Sequence, residues 1–213
     1  MVNAHVLRFG PEEARALKAA GCCLVKFGLE SGSPRVRREV LHRNMGNDQI
    51  VLALARCREA GLPSSTFVMF GLPTETRAEM EETVELLAVS RPDRARWTYF
   101  FPFPMTDAGE MARREGLIDE ARLARMDNFM DETPLVFGDD RDLWLAKVRK
   151  ALPWLVNARV PGETGARFAS QARELLALGA AEWARREPGF DREEREFSQE
   201  LDREKIPHYR VRY

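Results

Sequence analysis

The sequence predicts an α/β fold of parallel βα units followed by an all-α extension. Three observations carry that prediction. Short, nearly continuous apolar runs alternate with helix-patterned stretches from residue 1 to about 116. The runs recur roughly every 40 residues, about the length of a strand plus its crossover helix. From Leu117 onward the pattern is helical only. Continuous apolar runs fit a parallel sheet whose strands are covered by helices. Three or so strands are too few to close a barrel or to complete a doubly wound sheet. The expected division is 1–116 for the α/β part and 117–213 for the helical extension.

The elements follow in order. Val2 to Leu7 reads as the tail of a strand. Pro11 to Ala20 reads as a helix, with Pro near its start and Gly21 to close it. Cys23 to Leu29 is a strand that runs into Gly28-Leu29-Glu30, and Ser33 to Leu41 is helical. Asn47 is placed as the N-cap of DQIVLALARCREA, in which Ile50, Val51, Leu54 and Cys57 recur at helical spacing before Gly61. Ser64 to Phe70 is the next strand. Thr76-Arg-Ala-Glu79 is a capping box that opens the helix MEETVELLAV. Arg96 to Phe101 is a third complete strand, followed by the turn PFPMT and a helix from Ala108 to Glu115. Beyond it, Asp139 to Val156 is helical, with Pro153 expected to end or kink it. Glu163 to Glu187 is a long helical pattern. The charged run Asp191 to Lys205 reads as a solvated or partly disordered helix.

Composition excludes several classes of function. Lys and Arg number 33 and Asp and Glu 34, so no broad basic field exists for nucleic acid and no polybasic membrane anchor. No apolar run approaches the roughly 18 residues that span a bilayer. MVNAHVLRF lacks the basic-then-apolar layout of a signal peptide. Three cysteines, two of them adjacent, make no disulfide framework, and the expected compartment is the cytoplasm. The histidines His5, His42 and His208 show no metal-ligand spacing.

In parallel βα units, ligands gather at the carboxyl ends of the strands. Three segments fall there: Gly28-Leu29-Glu30-Ser31-Gly32, Gly71-Leu72-Pro73-Thr74-Glu75 and Pro102-Phe103-Pro104-Met105-Thr106. Glycine lets a ring or a phosphate approach the backbone. A glutamate at a strand end can accept from a ribose hydroxyl or an ammonium group. Trp97, Tyr99, Phe101 and Phe103 suggest a mouth for an apolar or planar substrate, although ordinary core packing is the reading favoured for them.

Together these residues resemble a known family. KFGLESGSPRVRREVLHRN, then REAGLPSSTFVMFGLPTET, then FFPFPMT and a helix ending REGL are similar to the second half of a radical S-adenosylmethionine (SAM) enzyme core. The order of a GxES strand end, an arginine about a dozen residues on, GLPxET and a Pro-x-Pro-x-Thr turn most resembles the subgroup with a cobalamin-binding domain. The resemblance covers roughly residues 1 to 118. It implies a partial, TIM-like βα barrel in which a CxxxCxxC loop holds a four-iron four-sulfur cluster. That cluster cleaves SAM reductively to a 5′-deoxyadenosyl radical. It implies that Glu30 and Ser31 contact the ribose or methionine part of SAM. Arg43 would pair with the SAM carboxylate, a task suited to an always-charged guanidinium. Gly71, Leu72 and Pro73, with Phe101 and Pro102, would lie beside the adenine.

One departure is large: CxxxCxxC is absent from these 213 residues. Cys22 and Cys23 open a strand and Cys57 closes a helix, so all three are expected at the amino ends of the strands as buried, apolar thiols. The resemblance therefore implies half of a barrel, with the cluster ligands, and any cobalamin domain, on a missing amino-terminal half or a partner subunit. The isolated chain is expected to be inactive. Two other classes fit the residues: a non-catalytic nucleotide-binding α/β domain, and an interaction module whose helical tail docks a partner.

Overall fold

The computed structural model describes residues 1–128, 130 and 132–209. The chain forms two compact units, Met1–Phe137 and Gly138–Tyr213. In the first, four parallel strands lie in the order β1 (Val2–Ala4), β2 (Val25–Glu30), β3 (Ser64–Phe70), β4 (Arg94–Tyr99). Each pair is joined by helix: α1 (Pro11–Ala19) between β1 and β2, α2 (Pro34–Glu39) and α3 (Asn47–Glu59) between β2 and β3, and α4 (Arg77–Ser90) between β3 and β4. Sequential parallel order with right-handed crossovers puts all these helices on one face of the sheet, as in part of a βα barrel.

The register identifies that face. Val25 pairs with Ser64, Phe27 with Thr66, Thr66 with Ala95, Val68 with Trp97 and Phe70 with Tyr99. Val25, Phe27, Phe70 and Tyr99 are all buried there, and so are Ile50 and Leu54 of α3 and Met80 and Val84 of α4. Trp97 and Tyr99 belong to this helix-covered face, so they pack the core and do not line a mouth. The other face carries Asn3, Lys26, Gly28, Ser65, Phe67, Met69, Arg94, Arg96 and Thr98. A bulge at Gly28–Glu30 shifts the register at the carboxyl end of β2.

Several boundaries differ from the sequence-based expectation. β1 is short because His5 turns the chain into a 3-10 turn over Val6–Arg8, its Nδ1 accepting from the Leu7 N–H at 3.3 Å. Ser33 caps α2 and is not its first residue. Gly46, not Asn47, stands before α3, which frees the Asn47 side chain for a different task described below. β4 begins two residues earlier than expected. After α5 (Asp107–Arg114), residues 117–137 stay with the first unit. Ile118 bridges Leu135 antiparallel, α6 (Glu120–Leu123) fills the bend, and Leu135 is buried with Leu72, Phe100 and Ala112. The compact unit thus extends to Phe137, past the boundary expected after residue 116.

The second unit is α7 (Asp140–Asn157), α8 (Glu163–Ala177) and α9 (Ala180–Arg203) around Trp154, Phe168, Leu175, Trp183, Phe190 and Leu201. Trp154 sits at the centre, its ring 4.9 Å from Phe190 and 6.2 Å from Phe168. α7 runs on through Pro153, and the helix pattern expected over 163–187 is split at Leu178–Gly179. The split has a cause. The buried Lys147 ammonium donates to the carbonyls of Leu176 (2.9 Å) and Leu178 (2.6 Å), satisfying helix-end acceptors. The charged run after Asp191 is an ordered part of α9. It buries Leu201 and is tied by Lys150–Asp191, Arg186–Glu193 and Arg167–Glu200 ion pairs. Among the described residues no helix is long and apolar enough to cross a membrane.

Candidate functional site

The three strand-end loops converge at the carboxyl edge of the sheet, and each holds a residue with positive φ: Glu30 (66°), Gly71 (76°) and Thr74 (63°), and Met105 (61°). A non-glycine residue in the left-handed region costs about 1 kcal/mol or more, and such strain clusters where a backbone must turn toward a ligand.

Glu30 and Arg43 meet directly. Arg43 Nη1 is 2.9 Å from Glu30 Oε1, and Nη2 donates to the Gly28 carbonyl at 3.0 Å. Burial pushes the Glu30 carboxyl up and the Arg43 charge pulls it back down. Gly28 makes the pair possible. A Cβ there would stand 2.4 Å from Glu30 Oε1 and 3.4 Å from Arg43 Nη1. Both side chains remain partly exposed, at 19% and 32%, so the pair is open to exchange with a ligand.

Ser31 is placed differently from Glu30. It is fully buried, its hydroxyl donates to Glu75 Oε1 at 3.2 Å, and its oxygen accepts from the Ser33 N–H. Ser31 is a strut between loops. Gly71, Leu72 and Pro73 are also buried. The Gly71 and Leu72 N–H groups both donate to Glu75 Oε2, at 3.0 and 3.1 Å. Phe100 N–H donates to the Phe70 carbonyl at 2.9 Å, which carries the β3–β4 ladder past β4 and sets Phe101 and Pro102 alongside Gly71 and Leu72. The Phe101 and Phe103 rings meet at 4.8 Å, tilted by 54°. The expected adenine-side residues are therefore brought together as adjacent backbone, and the Glu30–Arg43 pair lies one strand away.

Five residues have supporting roles that the sequence reading did not assign them. Glu75 ties the first loop to the second. Burial dominates its titration and pushes its carboxyl up to about 8, against the pull of its three donors. Arg37, to which the sequence reading gave no role, is fully buried. It donates to the Ser31 carbonyl, to the Met45 carbonyl at 3.2 and 3.0 Å, and to Asn47 Oδ1 at 2.6 Å. Asn47 in turn donates to the Gly32 carbonyl at 3.1 Å. This clamp holds the loop that presents Arg43. Gly32 packs on α4, where a Cβ would lie 2.3 Å from the Glu82 carbonyl oxygen. Glu79 joins the first turns of α2 and α4. Burial alone would raise its carboxyl, but donors from Arg35, Thr76 and Ser33 outweigh it and hold it near about 2. Gly28, quoted in the first loop, earned no separate role from sequence. A signal existed for Glu75, which stands at a fixed step after Gly71 in GLPTE; none existed for Arg37.

The cysteines do not fit an iron–sulfur cluster. Cys22 and Cys23 precede β2 and Cys57 ends α3, at the opposite edge of the sheet from Glu30 and Gly71. Of the three thiols expected to be buried, Cys57 is, while Cys22 is half-buried and Cys23 is exposed at the strand's edge. Burial pushes the Cys57 thiol up to about 12 and away from the thiolate that a metal needs. Among the described residues no group of three or more His, Cys, Asp or Glu is placed to hold a metal ion.

Residues 1–87 match the radical SAM superfamily. Over 116 residues the chain is 32% identical to an uncharacterized methyltransferase of Pyrococcus horikoshii, covering 54% of this chain and 25% of that protein. Among solved structures, coproporphyrinogen III oxidase from Escherichia coli, described as a radical SAM enzyme, aligns at a TM-score of 0.46 and 21% identity over 51% of this chain and 25% of that one. The radical SAM methyltransferase TsrM from Kitasatospora setae, with cobalamin and a [4Fe-4S] cluster bound, aligns at 0.48 and 19% identity over 70% of this chain and 29% of that one. The chain spans about a quarter of the length of the curated relative it matches. The family match lies on residues 1–87, which hold β1, β2 and β3.

Proposed function

We propose that this chain is the SAM-holding wall of a radical SAM enzyme whose cluster ligands lie outside these 213 residues. The observation that carries the reading is the Glu30–Arg43 pair poised over Gly28, one strand from the Gly71–Leu72 backbone. SAM bound here supplies a reactive sulfonium. Arg43 would exchange Glu30 for the SAM carboxylate, which it can hold with two parallel N–H groups. Glu30, released, would accept from a ribose hydroxyl. The backbone at Gly71–Leu72 and Phe101–Pro102 would flank the adenine, and Glu75 would keep that wall rigid. Methyl transfer is the reaction favoured by the 32% identical relative's own designation as a methyltransferase. The order of motifs favours the cobalamin-using subgroup, with cobalamin held elsewhere. A non-catalytic adenosine-binding domain is the second reading, and the unsuited cysteines favour it; a separate polypeptide bearing CxxxCxxC that binds this chain would decide against it.

Equilibrium dialysis with radiolabelled SAM tests the first reading. The 213-residue chain is expected to bind SAM saturably, and Arg43→Gln to weaken binding about tenfold, the value of one charge-assisted hydrogen bond. Anaerobic iron and sulfide reconstitution is expected to leave the chain without a four-iron absorption band. Absence of saturable SAM binding would overturn the reading. So would a cluster signal lost on mutating Cys22, Cys23 and Cys57.

A further inference from the structure

We propose that the sheet face opposite the helices binds an amphipathic anion, a molecule with a carboxylate or phosphate head and an apolar body. Three cations share that face. Lys26 pairs with Ser65 and Ser65 with Arg94 in the ladder, so one row reads Lys26, Ser65, Arg94. Arg96 stands beside Phe67 in the row above. Lys26 and Arg94 lie two strand spacings apart, about 10 Å between Cα atoms, within reach of one anionic group for side chains this long.

None of the three forms an ion pair among the described residues, and Arg94 and Arg96 are exposed. The strand residues of this face include one carboxylate, Glu30, and Arg43 occupies it. The chain as a whole is nearly neutral, with 33 basic and 34 acidic residues, so an unmatched row of cations inside a sheet is a local departure. Ser65, at 2% exposure, adds a hydroxyl between Lys26 and Arg94.

The face is graded along the strands. Above the cationic row comes the half-buried Phe67, then Met69, which packs in part against the Leu72, Phe100 and Leu135 cluster, and above these the Glu30 end of the sheet. From the level of Ser65 to that of Met69 is four residues, about 13 Å of strand. A ligand of roughly that length would set its anionic head on Lys26, Arg94 and Arg96, lay its apolar body on Phe67 and Met69, and bring its far end to Glu30 and Gly71. That the ligand is the substrate rests on the SAM assignment above; that it binds does not. The compact spacing of three cations favours one small head group over an extended polyanion.

The test titrates 1-naphthyl phosphate, 1-naphthoate and the neutral 1-naphthol into the ¹⁵N-labelled full chain, reading amide shifts. The two anions are expected to shift Lys26, Ser65, Phe67, Arg94 and Arg96 saturably, and the tighter of the two identifies the preferred head group. 1-Naphthol is expected to bind about tenfold more weakly, and the double variant Arg94→Gln, Arg96→Gln to weaken the anions by about tenfold or more while keeping the circular dichroism of the wild type. Equal affinity for the naphthol, unchanged affinity in the double variant, or no saturable shift at these amides would overturn the proposal. SAM titrated into the same samples separates the two readings. Shifts at Gly28 and Gly71 that survive the double variant support both. Loss of SAM binding with retained naphthyl phosphate binding would sink the SAM reading and leave the anion site standing.

Discussion

Glu75→Ala is expected to destabilise the chain by about 3 kcal/mol or more, because it strands buried donors at about 1–3 kcal/mol each. The donors are the Gly71 and Leu72 N–H groups and the Ser31 hydroxyl, all fixed on a side chain that is itself fully buried. Glu75→Gln keeps an acceptor oxygen and is expected to cost less. The same carboxyl gives stability a pH dependence whose sign follows from its titration. Its folded value is raised from 4.5 to about 8, so across that window the folded chain holds a proton that the unfolded chain has released. Stability then falls as pH rises from 4.5 toward 8, and the contribution is complete below that window and gone above it. Urea midpoints at pH 5 and pH 8 check this: the wild type is expected to lose more stability between them than Glu75→Gln does. A Glu75→Ala variant within about 0.5 kcal/mol of wild type, the range of an ordinary surface substitution, would contradict the account.

Arg37→Ala carries the second large effect. Its guanidinium is buried, and its ionisation is pushed down first by that burial and then by the charge of Arg43. Its recorded partners are oxygens of Ser31, Met45 and Asn47. Removing it leaves those acceptors unmatched and a cavity behind, a loss of about 3–5 kcal/mol. Arg37→Leu refills the volume and is expected to cost less. The consequence should reach the site, because the clamp spans the loop that presents Arg43. Hydrogen exchange of the amides from residue 41 to 46 is expected to speed up in Arg37→Leu, with unchanged exchange in β3. Unchanged exchange throughout, together with wild-type stability, would show that the loop does not depend on Arg37.

These two residues also mark where sequence reasoning stopped. The strand ends were legible because Gly28, Glu30, Gly71 and Pro102 are punctuation at the ends of apolar runs. The Thr76–Glu79 capping box was legible because it is a local pattern, and it forms as read. Arg37 was not legible: in PRVRRE its helical context is that of a solvated arginine, and its burial is decided by the Met45–Asn47 chain folding back over it. Ser31 kept its predicted neighbourhood while its hydroxyl turned inward to Glu75, a partner 44 residues away. The ordering of the charged run in α9 depended on Arg167 of α8 and Lys150 of α7 being opposite its acids, which is tertiary information. The helix break at Leu178 depended likewise on Lys147, whose ammonium reaches it from another helix.

The most direct test of the central claim is an amide map of SAM on the ¹⁵N-labelled chain. The account predicts saturable shifts concentrated at Gly28, Glu30, Gly71, Leu72 and Phe101, with the Arg43 side-chain Nε–H moving as it leaves Glu30. Saturable shifts confined to residues of the second unit, Gly138–Tyr213, or no shifts at these strand ends at millimolar SAM, would contradict it.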